Sequence, residues 1–122
     1  MAAARLMIHS MRDVTVVNFE DSSILDAAQI EAIGKALYDL VDVRNIRKLI
    51  LDFSKVQFLS SSALGVLITL RSKCEAARGT LVICGLRKDL MQVFEITNLK
   101  KLFTFRSDEE EALAVFGVTT AG

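Results

Sequence analysis

The stretch from Lys48 to Leu67 constrains the fold more than any other part of the chain, because its hydrophobic period changes once and does so at serines. Leu49-Ile50-Leu51 is a short apolar run suited to a strand buried on both faces, and it stops in polar residues at Asp52 and Ser54. From Ala63 the period is helical, with Ala63, Val66, Leu67, Leu70, Cys74 and Ala77 at i, i+3, i+4, i+7, i+11 and i+14. Ser60, Ser61 and Ser62 stand between the two patterns.

A serine at a helix start is first of all a cap, since its oxygen accepts a bond from an orphan N–H of the first turn. One cap uses one serine. The other two would sit in the first turn with exposed hydroxyls, beside N–H groups carrying roughly half a positive charge. On average such a run is only a capped loop. A phosphoryl group here, bringing about −1.5 to −2 of charge, would nonetheless be accommodated by the helix end while presenting a new charge to any partner.

The flanking segments supply the rest of a layered α/β domain. Leu6 to Ser10 and Val14 to Phe19 read as strands joined by Met11-Arg12-Asp13 into an antiparallel hairpin. Asp21-Ser22-Ser23 is a polar break, followed by a short strand at Ile24-Leu25. Asp26 then caps a helix carrying Ile30, Ile33, Leu37, Leu40 and Val41, with Gln29 at the third position of a capping box. The helix after the serines is expected to end at Arg78, with Gly79 in the left-handed position. Thr80 to Gly85 reads as a buried strand parallel to Leu49-Leu51. Asp89 to Ile96 is a helix stopped at Thr97-Asn98-Leu99, Leu102 to Phe105 an edge strand, and Ser107 to Glu110 a capping box for a last helix closed by Gly117. A frayed tail is expected over 117–122.

Composition narrows the functional classes. In 122 residues, 52% of them hydrophobic, there is length for a single domain spanning 1–122. Fifteen basic and fifteen acidic residues cancel, which argues against nucleic acid or an anionic membrane as partner. No stretch reaches the ~18 apolar residues of a membrane span, and Met1 to Arg5 is too short for a signal peptide with its own apolar core, so a cytoplasmic protein is expected. Cys74 and Cys84 lack ligand spacing and read as buried free thiols. His9 is the only histidine, so neither a metal site nor another cofactor is expected. A serine at a strand-to-helix turn suggests a hydrolase, but Gly-x-Ser-x-Gly is absent and His9 lies on an edge strand with no apparent acidic partner. No nucleotide-binding glycine loop is present, and the chain is not expected to be an enzyme.

Asp52-Phe53-Ser54 followed by Phe58-Leu59-Ser60-Ser61-Ser62-Ala63-Leu64-Gly65 resembles the STAS domains, and among them the small bacterial anti-sigma-factor antagonists. The resemblance covers nearly the whole chain. It departs from the family pattern at Ser60, where the family has Asp, at Ala63 and Asn98, where it has Gly, and at Ser23 in the earlier loop, again Gly. The resemblance implies a mixed, mainly parallel sheet with an N-terminal hairpin and about four helices packed chiefly on one side. It also implies a protein that binds an anti-sigma factor with serine-kinase activity when unmodified and is switched off by phosphorylation at Ser62, with Ser61 as the fallback. A serine phosphatase would reset it, and the kinase would hold the nucleotide. Asp21, Ser22, Ser23, Ser60, Ser61, Ser62, Ala63 and Leu64 are the residues it places on the partner surface. The alternative is a STAS scaffold without phosphorylation, as a subunit of a larger regulatory or transport complex.

Overall fold

A computed structural model describes residues 5–119, so the expectations for Met1 to Ala4 and for the tail at 120–122 lie outside the described residues. Five strands, β1 (Leu6–Met11), β2 (Val14–Phe19), β4 (Lys48–Asp52), β6 (Thr80–Cys84) and β7 (Thr104–Arg106), form one sheet in the order β1-β2-β4-β6-β7. β1 is antiparallel to β2 and every other pairing is parallel. Two further strands, β3 (Ser23–Ile24) and β5 (Phe58–Leu59), make a separate parallel ribbon. The helices are α1 (Ala27–Asp42), α2 (Ser61–Ala76), α3 (Lys88–Ile96) and α4 (Glu109–Val115).

The unbroken apolar runs have a direct cause. Leu49 and Leu51 of β4 face a core shared with α1, α2 and α3, while Ile50 faces a second core under α4. β2 and β6 divide the same way, Val17 against Val14 and Val16, and Leu81 and Ile83 against Val82 and Cys84. A strand covered on both sides cannot alternate with polar residues. Three helices on one face and one short helix on the other match the expected architecture.

Several ends differ from expectation. At the close of α2 the left-handed residue is Arg78 (φ 61), not Gly79. Gly79 is needed for another reason, since a Cβ there would lie 2.7 Å from the Arg47 carbonyl oxygen. The cap of α4 is Asp108, whose carboxylate accepts from Glu111 N at 2.9 Å, one residue later than the box at Ser107 to Glu110. At α1, Asp26 caps as expected, but Gln29 donates to Asp21 and to the Ser23 carbonyl instead of returning to the cap. Leu102 belongs to a 3-10 turn, Lys100–Leu102, ahead of β7. Val118 is buried under α4 and bonds Leu113, so fraying does not begin at Gly117.

Both thiols are free and buried. Burial, with Asp52, Glu109 and Asp108 nearby, pushes Cys84 up to about 12, and burial raises Cys74 as well.

One polar cluster ties the two layers together where β2 and β4 end. The Asn18 amide donates to Asp52 Oδ2 at 3.0 Å and to Glu109 Oε2 at 2.6 Å, and Asp52 Oδ1 accepts from Ser54 N at 2.8 Å. Gly85 (φ +72) leaves the room, because a Cβ there would come within 2.8 Å of Asp52 Oδ1. Burial pushes the Asp52 carboxyl up, but hydrogen bonds from Glu109, Ser54 and Asn18 outweigh it and hold the group below its ordinary value. Glu109 is raised, first by its hydrogen bond to Asp52 and then by burial, while Asn18 and His9, 3.8 Å away, oppose the rise. The two carboxyls are thus pushed apart, Asp52 down and Glu109 up.

Two stability predictions follow from these contacts. Gly79→Ala drives a methyl into backbone and is expected to cost about 1–3 kcal/mol in chemical denaturation. Gly65→Ala, inside α2 with no atom within 4 Å of the new Cβ, is expected to gain about 0.5–1 kcal/mol. For the carboxyl pair, the Glu109 contribution is full below its ordinary value of 4.5 and is lost as pH rises through its higher folded value. The Asp52 contribution is full above 3.8 and is lost as pH falls through its lower one. As pH rises above about 4.5 the melting temperature of the wild type should therefore fall more steeply than that of Glu109→Gln, whose amide donates to Asp52 at every pH; parallel curves would refute the raised Glu109 carboxyl.

Candidate functional site

The polar end of β4 leads through residues 53–57 into β5 and directly onto α2. Ser60 is the N-cap in extended conformation, its Oγ accepting from Ala63 N at 3.3 Å and its carbonyl from Leu64 N at 3.2 Å. Ser61 and Ser62 are therefore the first two helical residues, and both are exposed. Their own N–H groups have no carbonyl to reach within the helix. The first turn of α2 contains no acidic side chain, so the positive end of the dipole is not offset locally. At the far end Lys73 pairs with Asp42 of α1 at 2.7 Å and lies 5.2 Å above the Tyr38 ring, bracing α2 on α1.

The loop before α1 is attached to the same surface by its backbone. The Ser22 carbonyl accepts from Gln57 N at 2.7 Å and Phe58 N at 3.0 Å, and Ile24 O accepts from Ser60 N at 3.1 Å. Gln29 fixes this loop from α1 through Asp21 Oδ2 (2.9 Å) and Ser23 O (3.0 Å). Asp21, Ser22 and Ser23 thus form one continuous surface with Ser60, Ser61 and Ser62. Asp21 also pairs with Arg5, and Glu20 with Lys55.

Ala63 and Leu64 do not belong to that surface. Each is only 5% exposed, turned into the core beneath the ribbon, so their placement on a contact face is corrected. The exposed apolar groups here are instead Phe58 and Leu25, each 55% exposed. Ile24 and Leu59 are paired in register and face inward, which turns Leu25 and Phe58 outward; both neighbours in each pair are apolar, so no alternation in the sequence marked which one faces solvent. Beneath the ribbon a cavity of ≈ 10 Å³, lined by Phe19, Ile24, Phe53, Leu59 and Ala63 among others, has room for no more than a water molecule.

The hydrolase alternative lacks its geometry. His9 pairs with Val16 and lies beside Glu109 on the α4 face, whereas α2 packs on the opposite face of the sheet, so Ser62 and His9 form no dyad. Among the described residues no group of three or more His, Cys, Asp or Glu could hold a metal ion, and no helix is long and apolar enough to cross a membrane.

The chain is similar in sequence and in fold to known proteins. BtrV of Bordetella bronchiseptica, a candidate anti-sigma factor antagonist, is 28% identical over 93 residues, 76% of this chain and 79% of BtrV. An anti-sigma-factor antagonist (STAS) domain protein from Planctomyces limnophilus matches with a TM-score of 0.82 at 20% identity, covering 93% of this chain and 98% of its own. The Bacillus cell fate determinant SpoIIAA in its phosphorylated form matches with a TM-score of 0.71 at 20% identity, covering 91% and 98%. Residues 7–112 match the family model described as the STAS domain, from within β1 to the middle of α4, and the chain belongs to that family.

Proposed function

We propose that this chain, as a single domain over 1–122, is a cytoplasmic anti-sigma-factor antagonist without catalytic activity of its own. It binds an anti-sigma factor with serine-kinase activity and is switched off by phosphorylation at Ser62. The observation that carries the reading is an exposed Ser62 one residue inside α2, behind a Ser60 cap and on a surface continuous with Asp21 to Ser23. The relationship to BtrV and the existence of a phosphorylated SpoIIAA with this fold support it. Unmodified, the serines and the neighbouring loop meet the partner. Phosphate on Ser62 puts charge at the centre of that contact, and a serine phosphatase reverses the change. Ser61, exposed one residue earlier, is the fallback acceptor.

One feature favours the scaffold reading. Where the family has Asp, Ser60 caps α2 without a charge, which alters the surface a kinase would meet. The two readings separate cleanly in a pair of measurements. Incubation with the organism's serine-kinase anti-sigma factors and ATP, followed by mass spectrometry of the peptide carrying Ser60 to Ser62, should show one phosphate, absent in Ser62→Ala. Ser62→Asp should weaken partner binding at least about tenfold, or roughly 1.4 kcal/mol, while Ser62→Ala keeps it. If Ser62→Ala leaves both the affinity and its ATP dependence untouched, the chain is an unmodified scaffold.

A further inference from the structure

The two outer strands of the sheet are unlike each other. β7 has three residues and ends in Arg106, a short edge closed by a charge. β1 has six, Leu6-Met7-Ile8-His9-Ser10-Met11, with no Lys, Asp, Glu or Pro, and it pairs residue for residue with β2 without a bulge. Met7 is 58% exposed and Ile8 39%. Among the described residues, none of the devices that keep an edge from accepting another strand is present on β1.

The backbone directions of β1 are fixed by its pairing. Glu20 N donates to Arg5 O at 3.0 Å, so Arg5 and Glu20 are a hydrogen-bonded pair. Alternation then makes Met7 and Asn18, His9 and Val16, and Met11 and Val14 bonded pairs, the last closing the turn at Arg12-Asp13. Leu6, Ile8 and Ser10 therefore point their N–H and C=O groups away from β2. These three residues are evenly spaced about Ile8.

We propose that β1 pairs antiparallel with β1 of a second copy of this chain, about a two-fold axis at Ile8, joining the two sheets into one. In that register Ile8 meets Ile8, Leu6 meets Ser10 of the second copy, and Met7 meets its His9. Opposed residues then lie on the same face of the sheet, as pairing requires. Every outward N–H and C=O of the three residues gains a partner. The same axis sets Arg5 opposite Met11 of the second copy, while Arg5 and Asp13 keep their ion pairs within the chain, with Asp21 at 2.9 Å and Lys48 at 2.6 Å. His9 never faces another His9. A second copy brings an unpaired edge of the same length and with the same outward-facing residues, so one two-fold contact closes both edges at once and leaves none for a third chain. No residue of β1 itself belongs to the surface formed by Asp21 to Ser23 and Ser60 to Ser62.

Sedimentation velocity on the intact chain tests this directly, from about 1 μM to about 1 mM. The wild type should move from the 13.5 kDa of one chain toward twice that mass as concentration rises. Ser10→Pro removes only an N–H that β2 does not use, and proline is tolerated on the free side of an edge strand. Ile8→Lys sets two like charges face to face on the axis. Each variant should raise the dissociation constant at least tenfold, with circular dichroism and melting unchanged; should either fail to fold, the other decides. A wild type that stays at single-chain mass throughout overturns the proposal, as does association of both folded variants at the wild-type midpoint.

Discussion

The structure depends on a strand that has no free face. β4 runs between β2 and β6 with helices on both sides, and its Leu49, Ile50 and Leu51 are fully buried. Polar chemistry can therefore appear only at its carboxyl end, and there it is concentrated. Asp52 is 8% exposed. A carboxylate at that depth would be costly without partners, and it has Asn18 from β2, the Ser54 N–H at the start of the serine loop, and Glu109 from α4. One side chain thus sets the separation of two strands, the departure of the loop and the position of the helix on the far face.

That arrangement explains which features were legible in the sequence. Where a local rule acts alone, the residues announced it: Ser60 as the cap of α2, Asp26 as the cap of α1, Asn98 in the left-handed position (φ 64) after α3. Doubly buried strands were equally plain, because burial on both faces leaves only apolar residues. Misreadings occurred where a long-range contact overrode the local rule. Gly79 looks like a helix terminator, yet the approach of Arg47 from the next element is what requires it, and Arg78 takes the left-handed backbone. The cap of α4 moved to Asp108 as Glu109 became the first helical residue, bonded to Asn18 and set against Asp52, and no local pattern contains that tie.

The candidate site was legible in its position more than in its composition. Phe58-Leu59 has only two residues and pairs with a segment far earlier in the chain, so nothing periodic marked it as a strand. The family resemblance set Ala63 and Leu64 beside the exposed serines without reference to that ribbon, although Ala63 already stood on the apolar face of the helix. With it in place they are the floor beneath the ribbon, and the apolar groups facing solvent are Leu25 and Phe58. The surface is small hydroxyls flanked by two large apolar side chains, with Asp21 and Glu20 paired to Arg5 and Lys55. A partner matched to it must exclude water more than it must supply charge.

Magnitudes then decide how a phosphate would act at such a place. At the start of α2 it would meet unpaired N–H groups and the positive end of the dipole, an interaction worth about 0.3–1 kcal/mol at an exposed site and up to ~2 when partly buried. That stabilises the helix and has little to distort, since Ser62 already points outward. Removing the same phosphate from water inside a partner contact costs several kcal/mol unless the partner supplies cations. The larger effect falls on the complex and the smaller one on the fold. A modification at Ser62 would therefore act through the surface it presents, with the core beneath it unchanged, and the neutral cap at Ser60 adds no local charge to oppose it.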